Sequence, residues 1–348
     1  MTADLKKTKW GEFSIEDVAE ILSGKDIYEL ERTKGVTPYI SATSKNNGIG
    51  HFVGNVNNSL ESNCLSVNRN GSVGYAFYHP YNALFSNDCR KLRLKKTSKF
   101  VGIFIAQQIT RQKEKYGYGY KMGTARLKRQ KILLPITKKG ELDYSFIEVY
   151  MREKELEKVS EFRKYLDKRI RDLENYINVE PLEKKEWGEF ELDKIFKVKS
   201  GKRLTKAVMI KGNIPFIGAT DSNNGITEFI SNRNVSEDSN VLGVNYNGSV
   251  VENFYHPYKA IFSDDVKRLS FKTVEGNKHL FLFVKNQILK QKEKYQYGYK
   301  FNGTRMNRQK ILLPINEKKE PDYFYMENFM KRLEYFKLKQ YLDYKKAV

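Results

Sequence analysis

The octapeptide Arg129-Gln130-Lys131-Ile132-Leu133-Leu134-Pro135-Ile136 occurs a second time without change at residues 308–315. The tetrapeptide Lys113-Glu114-Lys115-Tyr116, which precedes it in the chain, also occurs again 179 residues later, at 292–295. Further upstream the matches are 177 residues apart, so about two residues are inserted in the second copy near 273–278. A repeat this long predicts two copies of one domain and excludes a solenoid, whose repeats are much shorter.

Further matching motifs occur at the start and in the middle of each copy. Trp10-Gly11-Glu12-Phe13 returns at 187–190, and Tyr78-His79-Pro80-Tyr81 returns at 255–258. Each copy is long enough to bury a hydrophobic core of its own. Two related recognition units in one chain are suited to two related sites at a fixed separation.

The charge balance indicates the kind of partner. The 348 residues include 63 Lys plus Arg against 42 Asp plus Glu, which gives a net charge of +21. A chain this basic favours a polyanion, above all nucleic acid. We expect no membrane association, because no apolar stretch reaches spanning length and the first residues lack a signal-peptide core. Two cysteines in a chain of this length favour a reducing compartment, and we therefore expect the cytoplasm.

Short β-branched and aromatic runs predict strands at 37–40, 64–67, 72–77 and 83–85, and turn signals such as Asn70-Gly71 separate them. Helices are predicted at 100–115 and 279–294, and 132–136 is predicted to be a last buried strand. Thr124 and Thr304 each follow a glycine and precede a basic run, so they are predicted to be helix N-caps. The fold class expected for each copy is therefore mixed α/β (α+β).

A long helix is predicted after the first copy, because residues 144–177 contain neither Gly nor Pro. Apolar side chains recur at steps of three and four and form a coiled-coil-like seam: Val159, Phe162, Leu166, Ile170, Leu173 and Ile177. A shorter counterpart follows the second copy, and we expect the two helices to form an antiparallel pair rather than ordinary caps. The predicted boundaries are a first domain at 1–143, a long spacer helix at 144–180, a second domain at 181–322 and a shorter helix at 323–348.

A basic segment rich in glycine and tyrosine recurs in both copies, with eight basic residues and one acid in 111–131 and seven and one in 290–310. Basic side chains neutralise phosphates, glycine allows close approach of the backbone, and tyrosine hydroxyls bond to phosphates or base edges. A merely solvated basic face is the alternative. The candidate nucleic-acid contacts are Lys113, Lys115, Tyr116, Tyr118, Tyr120, Lys121, Arg126 and Lys128 in the first copy, and Lys292, Lys294, Tyr295, Tyr297, Tyr299, Lys300, Arg305 and Arg308 in the second.

A second candidate surface is the polar loop at 41–48, whose counterpart is 218–225. Asparagine reads adenine and lysine reads guanine, although at least one asparagine of each Asn-Asn-Gly is expected to serve only the turn. The frame is retained while Lys45, His51 and Arg69 are exchanged for Ser222, Glu228 and Tyr246, as two readers of different base sequences require. The candidate contacts here are Lys45, Asn46, Asn47, Arg69, Ser222, Asn223, Asn224 and Tyr246.

No residue pattern typical of catalysis is found. His79 and His256 precede prolines without a suitable partner pattern and are expected to be structural, and Cys64 and Cys89 are replaced by valine in the other copy, as small buried hydrophobes are. Ser-Gly-Lys at 23–25 lacks the flanking residues of a phosphate loop, and no Cys/His spacing suits a metal. The sequence therefore predicts a binding protein, with no catalytic residue, no metal and no cofactor of its own.

The chain resembles the specificity (S) subunits of type I restriction-modification systems and their shorter type IIB relatives. The resemblance rests on the opening Trp187-Gly188-Glu189-Phe190-Glu191-Leu192-Asp193-Lys194-Ile195-Phe196 with Ser200-Gly201-Lys202. It also rests on the closure of each copy, Gly-Thr followed by Arg and Ile-Leu-Leu-Pro-Ile, and on the helix that follows. These motifs recur in the same order twice and cover essentially the whole chain.

This resemblance implies two target recognition domains related by a pseudo-two-fold axis and set apart by the helical pair. Each domain would read half of a bipartite double-stranded DNA target. The helices would dock adenine methyltransferase subunits, fused to or joined by a nuclease subunit, and those partners would hold S-adenosylmethionine and Mg²⁺. The short last helix favours a compact or type IIB arrangement. Two alternatives remain open from the residues alone: a DNA-cleaving or DNA-modifying enzyme in its own right, and an RNA-binding scaffold.

Overall fold

A computed structural model describes residues 4–117, 119–295 and 298–347. The chain divides into two compact units that meet between Arg163 and Lys164. The same order of strands and helices occurs in both units, as the duplicated sequence predicts. The mixed α/β fold class is therefore confirmed for each copy, whereas the exact domain boundaries proposed from the sequence stay a prediction.

The first unit begins with a strand paired to a strand much later in the chain and ends in a long helix. In chain order its elements are β1 (Trp10–Ser14), α1 (Ile15–Val18), β2 (Ala19–Ser23), β3 (Lys34–Ile40), β4 (Ile49–Val53), β5 (Cys64–Asn68), β6 (Ala76–His79), β7 (Leu84–Phe85), β8 (Cys89–Leu94), α2 (Lys99–Thr110), α3 (Thr124–Arg129), β9 (Lys131–Pro135) and α4 (Tyr144–Leu173).

The second unit begins within α4, at Lys164, and repeats this order of elements after that helix. Its elements are β10 (Trp187–Glu191), α5 (Leu192–Ile195), β11 (Phe196–Ser200), β12 (Lys211–Ile217), β13 (Ile226–Ile230), β14 (Val241–Asn245), β15 (Asn253–His256), β16 (Ile261–Phe262), β17 (Val266–Phe271), α6 (Lys278–Leu289), α7 (Gly303–Arg308), β18 (Lys310–Pro314) and α8 (Tyr323–Ala347).

Three sheets build each unit. In the first, an antiparallel sheet has the order β2-β8-β5-β6, a second has the order β4-β3-β7, and β1 pairs with β9. The second unit has the matching orders β11-β17-β14-β15, β13-β12-β16 and β10-β18. The main core lies between the four-stranded sheet and the following helix, where Leu65, Leu92 and Ile105 are fully buried. Within the three-stranded sheet, β3 and β4 form an antiparallel ribbon, and β7 pairs with the other side of β3.

Three predicted boundaries are corrected by tertiary contacts. The strand predicted at 72–77 begins only at Ala76, because 68–75 forms a tight turn with positive φ at Gly71 and Gly74. The helix predicted at 100–115 ends at Thr110 and is followed by a 3₁₀ turn at Lys113–Lys115. In the second copy α6 likewise ends at Leu289 rather than continuing to 294.

The predicted N-cap threonines are wrong in both copies. Gly123 is the N-cap of α3, and Asn302 is the N-cap of α7. The side chain of Asn302 accepts a hydrogen bond from the backbone N–H of Arg305 at 3.0 Å. Thr124 is the first helical residue of α3. Its hydroxyl accepts a hydrogen bond from Arg90 Nε at 2.7 Å, so the hydroxyl is engaged by a strand 34 residues earlier instead of by the helix terminus.

The long helix predicted after the first copy is confirmed as α4, and the shorter one as α8. Only half of the predicted seam is covered: Leu166 and Leu173 are buried, whereas Val159 is 58% and Phe162 46% exposed. Within the second unit, three contacts show that the end of α4 and the turn after it run antiparallel to α8. These join Arg169 Nη2 to Glu334 Oε2 (2.9 Å), Lys331 Nζ to the Tyr176 hydroxyl (3.2 Å) and the Tyr325 hydroxyl to the Glu180 carbonyl (2.9 Å).

Glu334 is the anchor of this contact. Burial opposes its ionisation, but hydrogen bonds from Arg169, His279 and Lys278 outweigh burial and lower the pKa of Glu334 to about 2. Its carboxylate therefore stays charged throughout the physiological range. The end of α4 is thus fixed to the second domain by a hydrogen-bonded ion pair as well as by apolar packing.

The residues predicted to be structural are buried. Cys64 and Cys89 are fully buried free thiols, and burial raises the pKa of each to about 12. His79 and His256 are also fully buried, and each packs edge-on against a phenylalanine. His79 Nε2 lies 2.8 Å from the Ser66 hydroxyl, whereas glycine replaces that serine in the second copy, and His256 Nε2 has no hydrogen-bond partner among the described residues.

Mild acid is expected to destabilise the chain through these two histidines. Burial lowers the pKa of each to about 4, from an ordinary value of 6.5. Between these two values an unfolded histidine binds a proton that the folded one does not. The free energy of unfolding is therefore highest above pH 6.5 and falls as the pH is lowered towards 4, by up to about 3 kcal/mol for each histidine. Urea unfolding at pH 7.5, 6 and 5 measures the loss. His256→Phe, which sacrifices no bond at Nε2, should remove about half of the pH dependence; equal stability from pH 7.5 to 5 would contradict this account.

Candidate nucleic-acid interface

The two surfaces predicted from the sequence meet at the tight turn 68–75 of the first unit. The backbone N–H of Ser72 donates to the Ala42 carbonyl at 3.0 Å, and a Cβ on Gly71 would lie 2.4 Å from the same oxygen. On the other side of the turn, a Cβ on Gly74 would lie 2.8 Å from Lys113 Cα. In the first unit, glycine at both positions leaves room for the polar loop and the basic segment to approach the turn this closely.

A cleft of about 350 Å³ marks this junction and is lined by Asn70, Gly71, Val73, Tyr116, Gly117 and Lys121. Lys113 Nζ lies 4.7 Å above the ring of Tyr75 beside it. The turn thus contacts both the polar loop and the basic segment, although these two segments lie about 70 positions apart in the sequence.

The second unit keeps the turn and changes the side chains around it. Ser249 N–H donates to the Ala219 carbonyl at 3.1 Å, as in the first unit. Val251 replaces Gly74 and adopts φ +69°, a region that β-branched residues rarely enter. Glu252 replaces Tyr75 and forms an ion pair of 2.6 Å with Lys292, so the candidate cation Lys292 is partly neutralised here, whereas its counterpart Lys113 packs on a ring.

All four asparagines of the two Asn-Asn-Gly turns are exposed and have positive φ, and the second member of each pair also hydrogen-bonds a tyrosine. Asn47 and Asn224 both have φ 54°, and their side-chain nitrogens donate to the hydroxyls of Tyr81 (3.1 Å) and Tyr258 (2.9 Å). These two asparagines hold the turn, as expected for one member of each pair. Asn46 and Asn223 are exposed beside the exposed Lys45 and Ser222, and these four side chains lie at the surface of the loop.

A network of tyrosine and glutamine holds the basic segment in each unit. In the second unit the Tyr295 hydroxyl donates to Gln309 Oε1 (2.6 Å), while Gln309 Nε2 (3.2 Å) and Lys294 Nζ (2.7 Å) donate to Gln291 Oε1. In the first unit the same bonds join Tyr116, Gln130, Gln112 and Lys115. Burial raises the pKa of Tyr116 and of Tyr295, so both hydroxyls remain protonated donors.

A stack of two tyrosines and one arginine continues from this network. Tyr120 stacks on Tyr116 with ring centroids 5.8 Å apart, and the Arg126 guanidinium lies 4.0 Å from the centre of the Tyr120 ring. In the second unit Tyr299 stacks on Tyr295 at 5.7 Å and Arg305 lies 3.8 Å from the Tyr299 ring. Each arginine also donates to the carbonyl of the lysine that follows the stacked tyrosine, Lys121 or Lys300.

An open cleft of about 650 Å³ lies beside the stack in the first unit. Four cations and a single acid line it, together with the glutamines and tyrosines of the network. All of its lining residues have an identical residue at the matching position of the second copy. They are Glu12, Gln112, Lys115, Tyr116, Tyr120, Arg126, Arg129, Gln130, Lys131, Ile132 and Leu133, matched by Glu189, Gln291, Lys294, Tyr295, Tyr299, Arg305, Arg308, Gln309, Lys310, Ile311 and Leu312.

Sequence comparison then decides the family. The family model described as "Type I restriction modification DNA specificity domain" matches the chain twice, at residues 7–161 and 184–343. The chain belongs to this family. The resemblance inferred from the repeated motifs is thereby confirmed, and with it the function of a specificity subunit of a restriction-modification system with two recognition domains.

One curated relative is the "Type II restriction enzyme BgcI specificity subunit S.BcgI" of Heyndrickxia coagulans, 44% identical over 333 residues, which cover 94% of this chain and 95% of the relative. Among solved structures, the type I S subunit from M. genitalium is 18% identical, with a TM-score of 0.48 over 100% of this chain and 94% of that one. The HsdS subunit from Thermoanaerobacter tengcongensis is 13% identical, with a TM-score of 0.32 over 98% and 94%.

The remaining candidates of this specificity subunit lie within their own units and differ in their exposure. Lys128 and Arg308 are exposed, and the position matching Lys128 holds Asn307. Arg69 and Tyr246 are half-buried, their backbone N–H groups donate to Asp88 and Asp265, and Lys267 Nζ lies 4.8 Å above the Tyr246 ring. Tyr118 and Tyr297 lie outside the described residues.

Gln112, Gln130, their counterparts Gln291 and Gln309, and Arg129 were not among the residues predicted from the sequence. Their identity in both copies was a signal that could have found them, but glutamine is an unremarkable residue until its contacts are known. Across residues 4–117, 119–295 and 298–347, no cluster of three His, Cys, Asp or Glu side chains is placed to hold a metal ion. In the same part of the chain no helix is long and apolar enough to cross a membrane.

Proposed function

We propose that this specificity subunit reads a bipartite double-stranded DNA target, with one domain on each half. One observation carries the proposal: the two domains agree at every residue of the basic cleft and differ in the polar loops beside it. Two half-sites of different sequence share only their sugar-phosphate backbone. A shared cleft and exchanged loops match this division between common and specific contacts.

The chemistry of the cleft suits the common part of the target. Lys115, Arg126, Arg129 and Lys131 line it against the single carboxylate of Glu12. Cations arranged in this way release counterions when they bind phosphates, which makes binding strong at low salt and independent of base sequence. The exposed Lys45 and Asn46 of the first loop, and Ser222 and Asn223 of the second, would then contact base edges.

Catalysis is proposed to lie in partner subunits, in keeping with a family of specificity subunits. We expect adenine methyltransferase subunits, fused to or joined by a nuclease, to hold S-adenosylmethionine and Mg²⁺ and to meet this chain in the cytoplasm. The exposed apolar side chains of α4, at Val149, Leu156, Val159 and Phe162, support a docking role for that helix. The similarity to a subunit named as part of a type II enzyme favours the compact arrangement over a full type I complex.

Selection from a random duplex library, with the chain bound to its methyltransferase partner, tests the bipartite target. We expect two short enriched blocks separated by a spacer of fixed length and random sequence. Enrichment of one contiguous block, or of none, would contradict the proposal. Incubation of the chain alone with DNA, Mg²⁺ and S-adenosylmethionine tests the alternative of an enzyme, and competition by structured RNA tests the alternative of an RNA scaffold.

Charge reversal at Lys121 and Lys300 should weaken binding to all duplexes alike. Each lysine follows the stacked tyrosine of its domain, and Lys121 lines the cleft beside the tight turn 68–75. Removing two phosphate contacts should lower the slope of log affinity against log salt by about 2. Fluorescence anisotropy over a salt series measures the slope, with Lys139, an exposed lysine beyond β9, reversed as the control. An unchanged slope would show that these lysines do not contact DNA.

A further inference from the structure

A loop in front of each ribbon has the same backbone in both domains and no residue in common. We call residues 26–33 and 203–210 the variable loops. The first reads Asp-Ile-Tyr-Glu-Leu-Glu-Arg-Thr and the second Arg-Leu-Thr-Lys-Ala-Val-Met-Ile. Both contain a 3₁₀ turn at the same place, Glu29–Glu31 in one and Lys206–Val208 in the other. The polypeptide path is retained while every side chain on it is exchanged.

The same asparagine anchors both loops. Asn55 Nδ2 donates to the Glu31 carbonyl at 2.8 Å, and its Oδ1 accepts from the Thr33 N–H at 2.9 Å. Asn232 repeats this, donating to the Val208 carbonyl at 3.0 Å and accepting from the Ile210 N–H at 2.7 Å. The backbone conformation of a surface loop that binds nothing is not expected to be maintained. A maintained backbone conformation with exchanged side chains is what a common scaffold requires to bind two different ligands.

The two variable loops expose apolar side chains at different positions. In the first loop Leu30 is 100% and Tyr28 68% exposed, whereas Ile27 is buried. In the second loop alanine and threonine occupy the positions of Leu30 and Tyr28, and Val208 (55%) and Ile210 (62%) are exposed instead. The two domains therefore offer differently placed apolar contacts.

Arg32 of the first variable loop has three contacts between its guanidinium and neighbouring groups. Its Nε donates to the Ile27 carbonyl at 3.2 Å, its Nη1 lies 2.9 Å from His51 Nε2, and its guanidinium lies 5.7 Å from the centre of the Tyr39 ring. A guanidinium already held in one orientation loses little entropy on binding. This arrangement suits bidentate recognition of a guanine edge.

The second domain has the opposite charge at this place. Met209 replaces Arg32, and Glu228 replaces His51. Glu228 lines a cleft of about 500 Å³ together with Lys206, Met209 and Lys211. A carboxylate next to DNA is repelled by phosphates, so it is useful only where it accepts a hydrogen bond from a base amino group, such as that of cytosine.

Both groups lie close to the polar loops. β4 begins at Ile49, directly after the Asn-Asn-Gly turn, and His51 is its third residue; Glu228 has the same place on β13. At about 3.3 Å per residue, these positions are within about 10 Å of the polar loop, a distance of about three base pairs. A paired ribbon of this kind also has the width of a major groove.

We propose that the variable loops and the adjoining ribbon positions determine which bases each half-site contains. Arg32, held by His51, reads a guanine in one half, and Glu228 accepts a hydrogen bond from a cytosine amino group in the other. This inference rests on the bipartite DNA reading proposed above. It assigns specificity to a segment that the sequence motifs do not mark.

Library selection with Arg32→Ala and Glu228→Gln, each in complex with the methyltransferase partner, tests the assignment. Arg32→Ala should reduce preference at one base pair of one half-site about ten- to hundredfold, and leave the other half-site unchanged. Glu228→Gln should do the same to the other half-site only. The control is Lys34→Ala, because this cation is shared with Lys211 and should not alter base preference.

The outcomes separate this inference from the function on which it rests. If the unaltered chain selects no bipartite target, the proposed function fails. If it selects one and both variants select the same bases with the same strength, only this assignment fails. Exchange of the whole first variable loop for the second guards against local misfolding: with an unchanged melting temperature, it should alter one half-site alone, and an unaltered half-site would overturn the proposal.

Discussion

Replacing both Arg126 and Arg305 by alanine is expected to weaken binding to every duplex by roughly a hundredfold at about 0.1 M salt, or about tenfold for each arginine. Each guanidinium lies on a tyrosine ring and in the cleft that is identical in both domains. Because this cleft is proposed to contact phosphates, the loss should not depend on base sequence, and the salt slope should fall by about 2.

The conservative pair Arg126→Lys and Arg305→Lys separates charge from geometry. Lysine keeps the positive charge but lacks the planar guanidinium that stacks on Tyr120 and Tyr299. We expect the salt slope to be preserved while affinity falls by a smaller factor. Anisotropy with the target and with an unrelated duplex measures both effects. A loss confined to the target sequence would contradict the phosphate assignment and indicate base reading.

Alanine at Gly24 is expected to destabilise the first domain by about 3 kcal/mol, and alanine at Gly201 to do the same to the second. A Cβ on Gly24 would lie 2.1 Å from the Ser86 carbonyl oxygen and 2.5 Å from that of Phe85. The distances at Gly201 are 2.0 Å to Ser263 and 2.6 Å to Phe262. These neighbours are backbone atoms and cannot move without breaking the adjoining strand.

Gly119 and Gly298 provide matched controls, since a Cβ on either would have no neighbour within 4 Å. Alanine at these positions should leave the unfolding transition in urea almost unchanged, because the added methyl group would displace no neighbouring atom of the described residues. Circular dichroism during urea unfolding compares all four variants. Equal stability of Gly24→Ala and Gly119→Ala would show that the end of β7 does not approach Gly24 as closely as described.

This close approach also explains the repeated Ser-Gly-Lys, which the sequence left without a function. The backbone N–H of Lys25 donates to the Phe85 carbonyl at 2.8 Å, and that of Lys202 to the Phe262 carbonyl at 2.9 Å. The glycine is small so that two chain segments can lie against each other. The motif is therefore a packing element shared by both copies.

The order of elements was predictable because its signals are local. The alternation of β-branched and aromatic runs with turns gave the strands, and the Gly-free and Pro-free stretch gave α4. The burial of Cys64 and Cys89 followed from comparing the copies, since valine replaces each of them. The prediction was poorer at element ends, since Thr124 had a better partner in Arg90 than in its own helix.

The variable loops show where reading by motif has little power. No sequence motif marks residues 26–33. Their difference from residues 203–210 is, by itself, what neutral divergence of a surface loop would also produce. The anchoring bonds of Asn55 and Asn232 give that difference its meaning, and they connect residues 22 to 24 positions apart.

Repeats, charge and periodicity are properties of the linear chain. The duplicated domain, the strongly basic character and the helix after each copy could therefore be predicted from the sequence. Which distant segments lie against one another became apparent from the folded chain. Gly71 and Gly74 join the polar loop to the tyrosine segment, and Gln112 and Gln130 meet beneath Tyr116. These contacts depend on packing between distant segments, where close approach and hydrogen-bond geometry, not local propensity, select the partner.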